Sequence, residues 1–360
     1  MRALLATAGL LVLAGAAAAA KPTAHTLRKS ASGPIAAIAQ DSGLAAWLTF
    51  ASSHGCDAVH VLAPGQRDRS APQPSSGSMT CHWNLADGRP QLAVAARLSM
   101  ALWTLHESGP SPFDVVVAAP IGGPERRVGQ LSHASDGTGD WLGGVAGAGK
   151  TLAYSWDDVE YVDKLACLSG GSCKERIANG GIRLVSPSGY TTLPEAQPAL
   201  QLAAAGGRIA YVPATTVKAG RPTTTTSNTL QVVDATSGES VGQASVHGFP
   251  IAIALSPAVL AVLTTQGTAH DRISWFSAIG GTKLGSVVVS GLAAPQLAAS
   301  DRVIVYRVGL FLHAIATKTG HIQKLVKTGQ NYVGLSLAHG RLLWAENHNR
   351  TGRLRALAVG

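Results

Sequence analysis

Charge is scarce in this chain of 360 residues: Asp, Glu, Lys and Arg make up 14% of it, and aromatic residues only 5%. A sequence so poor in charge and 46% hydrophobic is not intrinsically disordered, because it holds ample apolar surface to bury. Catalytic signatures are missing as well. There is no Gly-x-Ser-x-Gly elbow, no Walker loop and no dinucleotide glycine fingerprint between a strand and a helix. The run GGVAGAGK ending at Lys150 imitates a phosphate loop, but its spacing is wrong and no helix follows. The net charge of +9 is scattered rather than bunched. Its densest stretches, around Arg67 and Arg127, are short turns without interleaved aromatics, so no nucleic-acid partner is expected.

Long apolar runs are also lacking, with one exception at the start. MRALLATAGLLVLAGAAAAAKP places Arg2 before an apolar stretch that ends in Ala18, Ala19 and Ala20, the small-residue pattern of a signal-peptidase site. Residues 1–20 therefore read as a signal peptide cleaved after Ala20. The alternative is a retained anchor, but the 17 residues from Leu4 to Ala20 are at the lower limit for spanning and are mostly weakly apolar alanine. The expectation is a secreted, periplasmic or cell-surface protein with no membrane insertion after cleavage. The four cysteines, an even number, suit an oxidising compartment. Cys167 and Cys173 enclose a short polar tip, and Cys56 and Cys81 flank a hairpin, so the expected bridges are Cys56–Cys81 and Cys167–Cys173.

What is present is a repeat. Seven times a run of small apolar residues is followed by a second apolar run, usually with an aromatic, and then by a third run closed at a turn glycine. The second runs align Trp47, Trp103, Tyr154, Tyr211, Val262, Val305 and Trp344, at intervals of 39 to 57 residues. Periods of this length signal stacked supersecondary units. Each unit reads as four strands, the innermost rich in alanine and glycine: PIAAIAQ from Pro34, PQLAVAAR from Pro90, ALQLAAAG from Ala199 and PQLAASD from Pro295 are examples. Alanine and glycine are poor strand formers, yet near a crowded central axis only small side chains let neighbouring units approach. The seventh unit ends at Gly360 without an outer strand, while KPTAHTLRKSASG lies spare before the first unit. The fold expected is an all-β, seven-bladed β-propeller spanning residues 21–360 as one domain, with residues 21–33 closing the ring by pairing with the last blade.

Two stretches, TLQVVDATSGESVGQ and LFLHAIATKTGHIQKL, resemble repeats of the YVTN and quinoprotein-like propeller superfamily, in which an aliphatic strand precedes an Asp-x-x-x-Gly-like turn. WD40 propellers are a more distant likeness. The resemblance implies the fold. The tryptophan that quinoprotein repeats carry after the turn is replaced near Val241 and Ile322, so it does not imply a pyrroloquinoline, and no cofactor is expected.

In a propeller the second-to-third and fourth-to-first loops share one face. That face is expected to gather His54, His106, Asp157, Asp158, Arg221, His270, Asp271 and His348, with Glu107, Glu160, Asp163, Lys218 and Glu346 beside them. No pair of histidines has local metal-ligand spacing, so no metal is assigned, and no catalytic residue is named. The acidic stretch SWDDVEYVDK reads as a solvated recognition loop, and 63–78 and 214–228 as mobile loops. Histidines within strands, His60 and His313, read as packed or surface residues. The function that follows is a non-catalytic binder of a protein or cell-envelope ligand, a monomer. Its rival is an extracellular lyase or hydrolase with a metal or acid-base site at the channel rim.

Overall fold

The structure is a computed structural model that describes residues 23–30, 33–49, 58–63, 69–70, 90–107, 112–134, 136–168, 173–265, 270–291 and 293–359. His54, Cys56 and Cys81 lie outside these residues.

Seven antiparallel four-stranded sheets form the blades. Six are continuous in sequence, and their first strands are Ile35–Asp41, Leu92–Ala95, Gly139–Ala148, Ala199–Ala205, Phe249–Leu255 and Ala293–Ala299. The seventh is built from both ends of the chain. Its first three strands are Tyr332–Ala338, Arg341–His348 and Thr351–Ala358, and its outer strand is His25–Ser30. That outer strand runs antiparallel to Thr351–Ala358, from His25 opposite Ala356 to Ser30 opposite Gly352, as the spare N-terminal segment predicts. The third strands and the aligned second-strand positions fall where the repeat puts them, and so do the closing glycines among the described residues.

Seven apolar clusters hold the ring together, and each joins two neighbouring blades. The one across the closure packs Ile35, Ile38, Ala45 and Trp47 of blade 1 on Leu343, Ala345, Leu354 and Ala356 of blade 7. A blade has two apolar faces, so the aligned second-strand aromatics Trp47, Trp103, Tyr154, Tyr211 and Trp344 become buried wedges between sheets. Trp47, Tyr154 and Trp344 are among the largest fully buried side chains. His60 stacks on Trp47 with ring centroids 5.2 Å apart, and His313 stacks on Tyr306 at 5.4 Å, which accounts for both as packing residues.

The small inner residues do what the sequence requires of them. A Cβ on Gly143 would overlap the Ala199 carbonyl oxygen of the next blade, and one on Gly147 would crowd the Val94 carbonyl of the preceding blade. Propensity yields here to close approach.

Two segments differ from the sequence reading. Residues 155–161 are not loop but the end of the strand Thr151–Tyr161, whose side chains alternate, so Asp157 points into the interface and Asp158 away from it. Within 214–228, Thr216–Lys218 and Arg221–Thr223 form a hairpin. Composition suggested mobility, but tertiary contacts order it. A Cβ on Gly137 would collide with the backbone of Gly220 at the hairpin tip, the Gly220 N–H donates to Glu175 Oε2 at 3.0 Å, and the Arg221 guanidinium lies 5.4 Å from the Trp141 ring centre. Gly137→Val should therefore lever the hairpin off blade 3 and make the bond after Lys218 sensitive to trypsin under native conditions. Equal cleavage of wild type and variant would refute this docking.

Candidate functional site

The first strands begin on the face of the fourth-to-first loops and run along the axis. Six of the seven are interrupted near their start by a register shift, for example between Ile35 and Ala37, Leu142 and Val145, and Val333 and Ser336. Bulges bend a strand and re-aim its side chains. Their effect is a cavity of about 1040 Å³ on the axis, walled by the starts of all seven first strands and open toward the loop-bearing face. A second cavity of about 680 Å³, at the opposite end of the axis, is lined by the first-to-second turns. There Asp41 of blade 1 accepts the N–H groups of Ala96 and Gly149, both at 2.7 Å, so a single carboxylate ties three blades together.

The upper cavity is lined mostly by aliphatic side chains and backbone, with a few polar groups. Gln91, Gln201 and Gln296 occupy equivalent places in blades 2, 4 and 6. Gln91 accepts from the Val145 N–H at 3.0 Å and donates to the Gly143 carbonyl at 3.3 Å, and Gln201 donates to the Pro250 carbonyl at 3.2 Å. Each thereby joins the following blade. Gln296 Oε1, by contrast, is buried with no hydrogen-bond partner among the described residues, and so is the hydroxyl of Tyr332 in the next blade. Burial pushes the Tyr332 phenol well above its usual range, so it stays protonated.

Arg307 enters the same corner. In blade 6 the pairing jumps from Ala293 opposite Val308 to Leu297 opposite Tyr306, leaving the single residue Arg307 against the bulged segment 294–296. The bulge is what lets a second-strand side chain reach the axis. The Arg307 guanidinium packs 4.5 Å from the Tyr332 ring centre, with Nε donating to Thr328 Oγ1 at 3.1 Å and Nη2 to the Gly329 carbonyl at 3.4 Å.

The residues expected on the rim are dispersed. His106 and Arg221 belong to one ensemble across blades 2, 3 and 4: His106 Nδ1 is 2.9 Å from Asp114 Oδ1, His106 faces His133 at 6.3 Å, His133 stacks on Trp141 at 3.8 Å, and Arg221 covers Trp141. Burial lowers the His133 pKa, Asp114 opposes that, and His106 and Arg221 reinforce it, so the ring is held neutral in the stack. Asp158 is half-buried and helps burial raise the pKa of Asp140. His270 and His348 sit exposed at strand ends in blades 5 and 7, and nothing brings them together. Among the described residues, no three His, Cys, Asp or Glu side chains gather in a way that could hold a metal ion.

Asp157 and Asp271 lie beneath the rim, 1% and 2% exposed. Asp271 Oδ2 accepts the Ala293 N–H at 2.6 Å, fixing the start of the next first strand, and Asn347 does the same at the closure by accepting from the Ile35 N–H at 2.8 Å. Asp157 occupies the matching place before Ala199. The Ala199 N–H is near enough to favour its charge, but neither carboxylate oxygen has a hydrogen-bond partner, and burial pushes the pKa up to about 7. Asp271 and Asn347 thus brace neighbouring blades from inside.

The Cys167–Cys173 bridge is formed, as the spacing predicts, and ties the end of the short helix Lys164–Leu168 to Cys173 on the loop-bearing face. The cavity residues escaped the sequence reading, which searched the loops. A signal was available: a glutamine recurs in Pro-Gln-Leu-Ala at Pro90 and Pro295 and in Leu-Gln-Leu-Ala at Leu200, the one polar residue in otherwise apolar inner strands.

No family model and no curated protein matches the chain. Solved structures do. The Pyrococcus horikoshii acylaminoacyl peptidase aligns with a TM-score of 0.54 at 9% identity, over 90% of this chain and 51% of that one. The Dos1 propeller aligns at 0.47 and 10% identity over 94% and 95% of the two chains. The Pan2 WD40 domain of Neurospora crassa aligns at 0.46 and 11% identity over 93% and 95%. At such identities the likeness extends to the fold alone. With seven four-stranded blades and an N-terminal strand that completes the last of them, the chain folds as a seven-bladed β-propeller.

Proposed function

We propose that this protein is an exported, non-catalytic propeller that binds a protein or cell-envelope ligand on its loop-bearing face, with the upper axial cavity as the seat of the contact. The observation that carries the reading is the cavity itself, which is open to that face, walled by aliphatic side chains and exposed backbone polar groups, and supplied with a few side-chain polar groups that internal bonding leaves unused. Residues 1–20 as a cleaved signal and residues 21–360 as one domain complete the proposal. The Cys167–Cys173 bridge suits an oxidising compartment, and among the described residues no helix is long and apolar enough to cross a membrane.

The test is a cavity plug. Ala294 is half-buried in the cavity wall, and Ala294→Trp fills the mouth without touching the blade interfaces. Purified wild type and variant are incubated with soluble peptide, glycan and lipid fractions of an envelope extract, and retained molecules are identified by mass spectrometry. A species held by wild type and lost from an equally stable variant supports the reading. Equal retention by both proteins rejects the cavity. The rival, a rim hydrolase or lyase, draws on the His106–Asp114 pair. It requires turnover that His106→Ala abolishes and the plug spares.

A further inference from the structure

We propose that the corner of the axial cavity between blades 6 and 7 is a carboxylate subsite, in which Arg307, Tyr332 and Gln296 receive the C-terminal residue of a short apolar peptide. The inference rests on the cavity being the binding site and gives that site a ligand class.

Charge comes first. Among the described residues, Arg307 is the one charged residue in the wall of the upper cavity. Among the described residues no carboxylate pairs with it. The carboxylate nearest in the bonding network, Glu346, is committed elsewhere: Oε1 accepts from the Trp344 indole at 2.9 Å and from the Gly329 N–H at 3.1 Å, and Oε2 lies 4.0 Å from Arg355 Nε. Thr328, Gly329 and the Tyr332 ring hold the guanidinium on three sides and leave Nη1 uncommitted. A fixed, half-buried cation without a counter-ion is an electrostatic demand, and a planar carboxylate is the group that a guanidinium fork fits best. One cation with no second beside it favours a monoanion.

The second observation concerns hydrogen bonding. Gln91 and Gln201 spend their amides on the next blade, whereas the equivalent Gln296 leaves its Oε1 buried and unsatisfied. That acceptor calls for a donor. The Tyr332 hydroxyl, protonated and also without a partner, can donate to an anion. A peptide's last residue carries its own N–H two bonds from its carboxylate carbon, so it can answer Gln296 and Arg307 together. A fatty acid would answer Arg307 and Tyr332 but has no N–H for Gln296. The remaining wall, with Ile251, Leu297, Val333 and Leu335, suits an apolar side chain, and a cavity of about 1040 Å³ has room for several residues.

The experiment is isothermal titration of the whole protein with three probes: the tripeptide Ala-Ala-Leu, its C-terminal amide, and octanoate. The tripeptide should bind, with the amide and octanoate each about tenfold weaker or more. Arg307→Gln should abolish tripeptide binding and Arg307→Lys should weaken it. Gln296→Leu should weaken the tripeptide about tenfold while leaving octanoate unchanged. Thermal melts accompany each variant, and Arg307→Lys carries the charge test if Arg307→Gln unfolds. No tripeptide binding, an amide that binds as well as the acid, octanoate as tight as the tripeptide, or indifference to Gln296→Leu would each overturn the proposal. Should the tripeptide fail while Ala294→Trp still loses an envelope ligand, the carboxylate subsite falls and the cavity stands as the binding site.

Discussion

Removing residues 21–33 lowers the melting temperature by about 10 °C or more and drives the protein toward aggregation. The strand His25–Ser30 covers the outer edge of Thr351–Ala358, and without it the row of ladder groups from Gly352 to Ala356 is left open. Its side chains matter as well. Leu27 packs into the cluster joining blades 7 and 1, Ala24 packs against the one joining blades 6 and 7, and Arg355 Nη1 donates to Thr26 Oγ1 at 2.8 Å. Loss of the strand therefore weakens two of the seven interfaces and the last blade itself. A peptide of residues 21–33 added in trans should recover part of the lost stability, because the vacated edge selects that sequence by its register. A truncated protein that melts with the intact one, by circular dichroism and calorimetry, would show that closure does not depend on this strand.

The second large effect is a loss of stability as pH rises. Asp157 has a folded pKa of about 7, against 3.8 when unfolded, so the folded state binds the extra proton between those values. A raised folded pKa gives stability that is fully present below the unfolded value and is lost as pH rises through the folded one. Asp157→Asn removes this titration and leaves the others in place. Relative to the variant, wild type should lose about 2–3 kcal/mol between pH 5 and pH 8. Urea unfolding of both proteins at the two pH values measures it. The cause is the missing partner: Asp271, in the matching place one interface on, accepts a short bond from Ala293, while neither Asp157 oxygen accepts one. A difference that does not vary with pH would mean that Asp157 is ionised and satisfied in solution.

Architecture was legible because a propeller repeats its pattern. The alanine- and glycine-rich runs, the buried aromatics at Trp47, Trp103, Tyr154 and Trp344, and the glycine-closed third strands each recur often enough to outweigh weak strand propensity. The spare strand was legible by subtraction, since seven units and a missing outer strand leave 21–33 with one place to go. The Cys167–Cys173 bridge followed from spacing across a short tip. The site was far less legible. Histidines and acids were sought in loops, yet Asp157 and Asp271 lie on strands and turn beneath the rim, where Asp271 steadies the next blade. Arg307 sits within the apolar-looking run VIVYRV, and only a shift in strand pairing brings it to the axis.

The sequence by itself determined the number of blades, the order of strands within them and the manner of closure, because these depend on local periodicity and on counting what is left over. Tertiary structure alone decided which polar groups meet. Gln296, Arg307 and Tyr332 come from two blades and three strands, and their neighbourhood depends on bulges that insert two extra residues in blade 6 and one in blade 7 at the crowded axis. A one-residue change in register moves a side chain from one face of a strand to the other, and no local pattern in the chain records it.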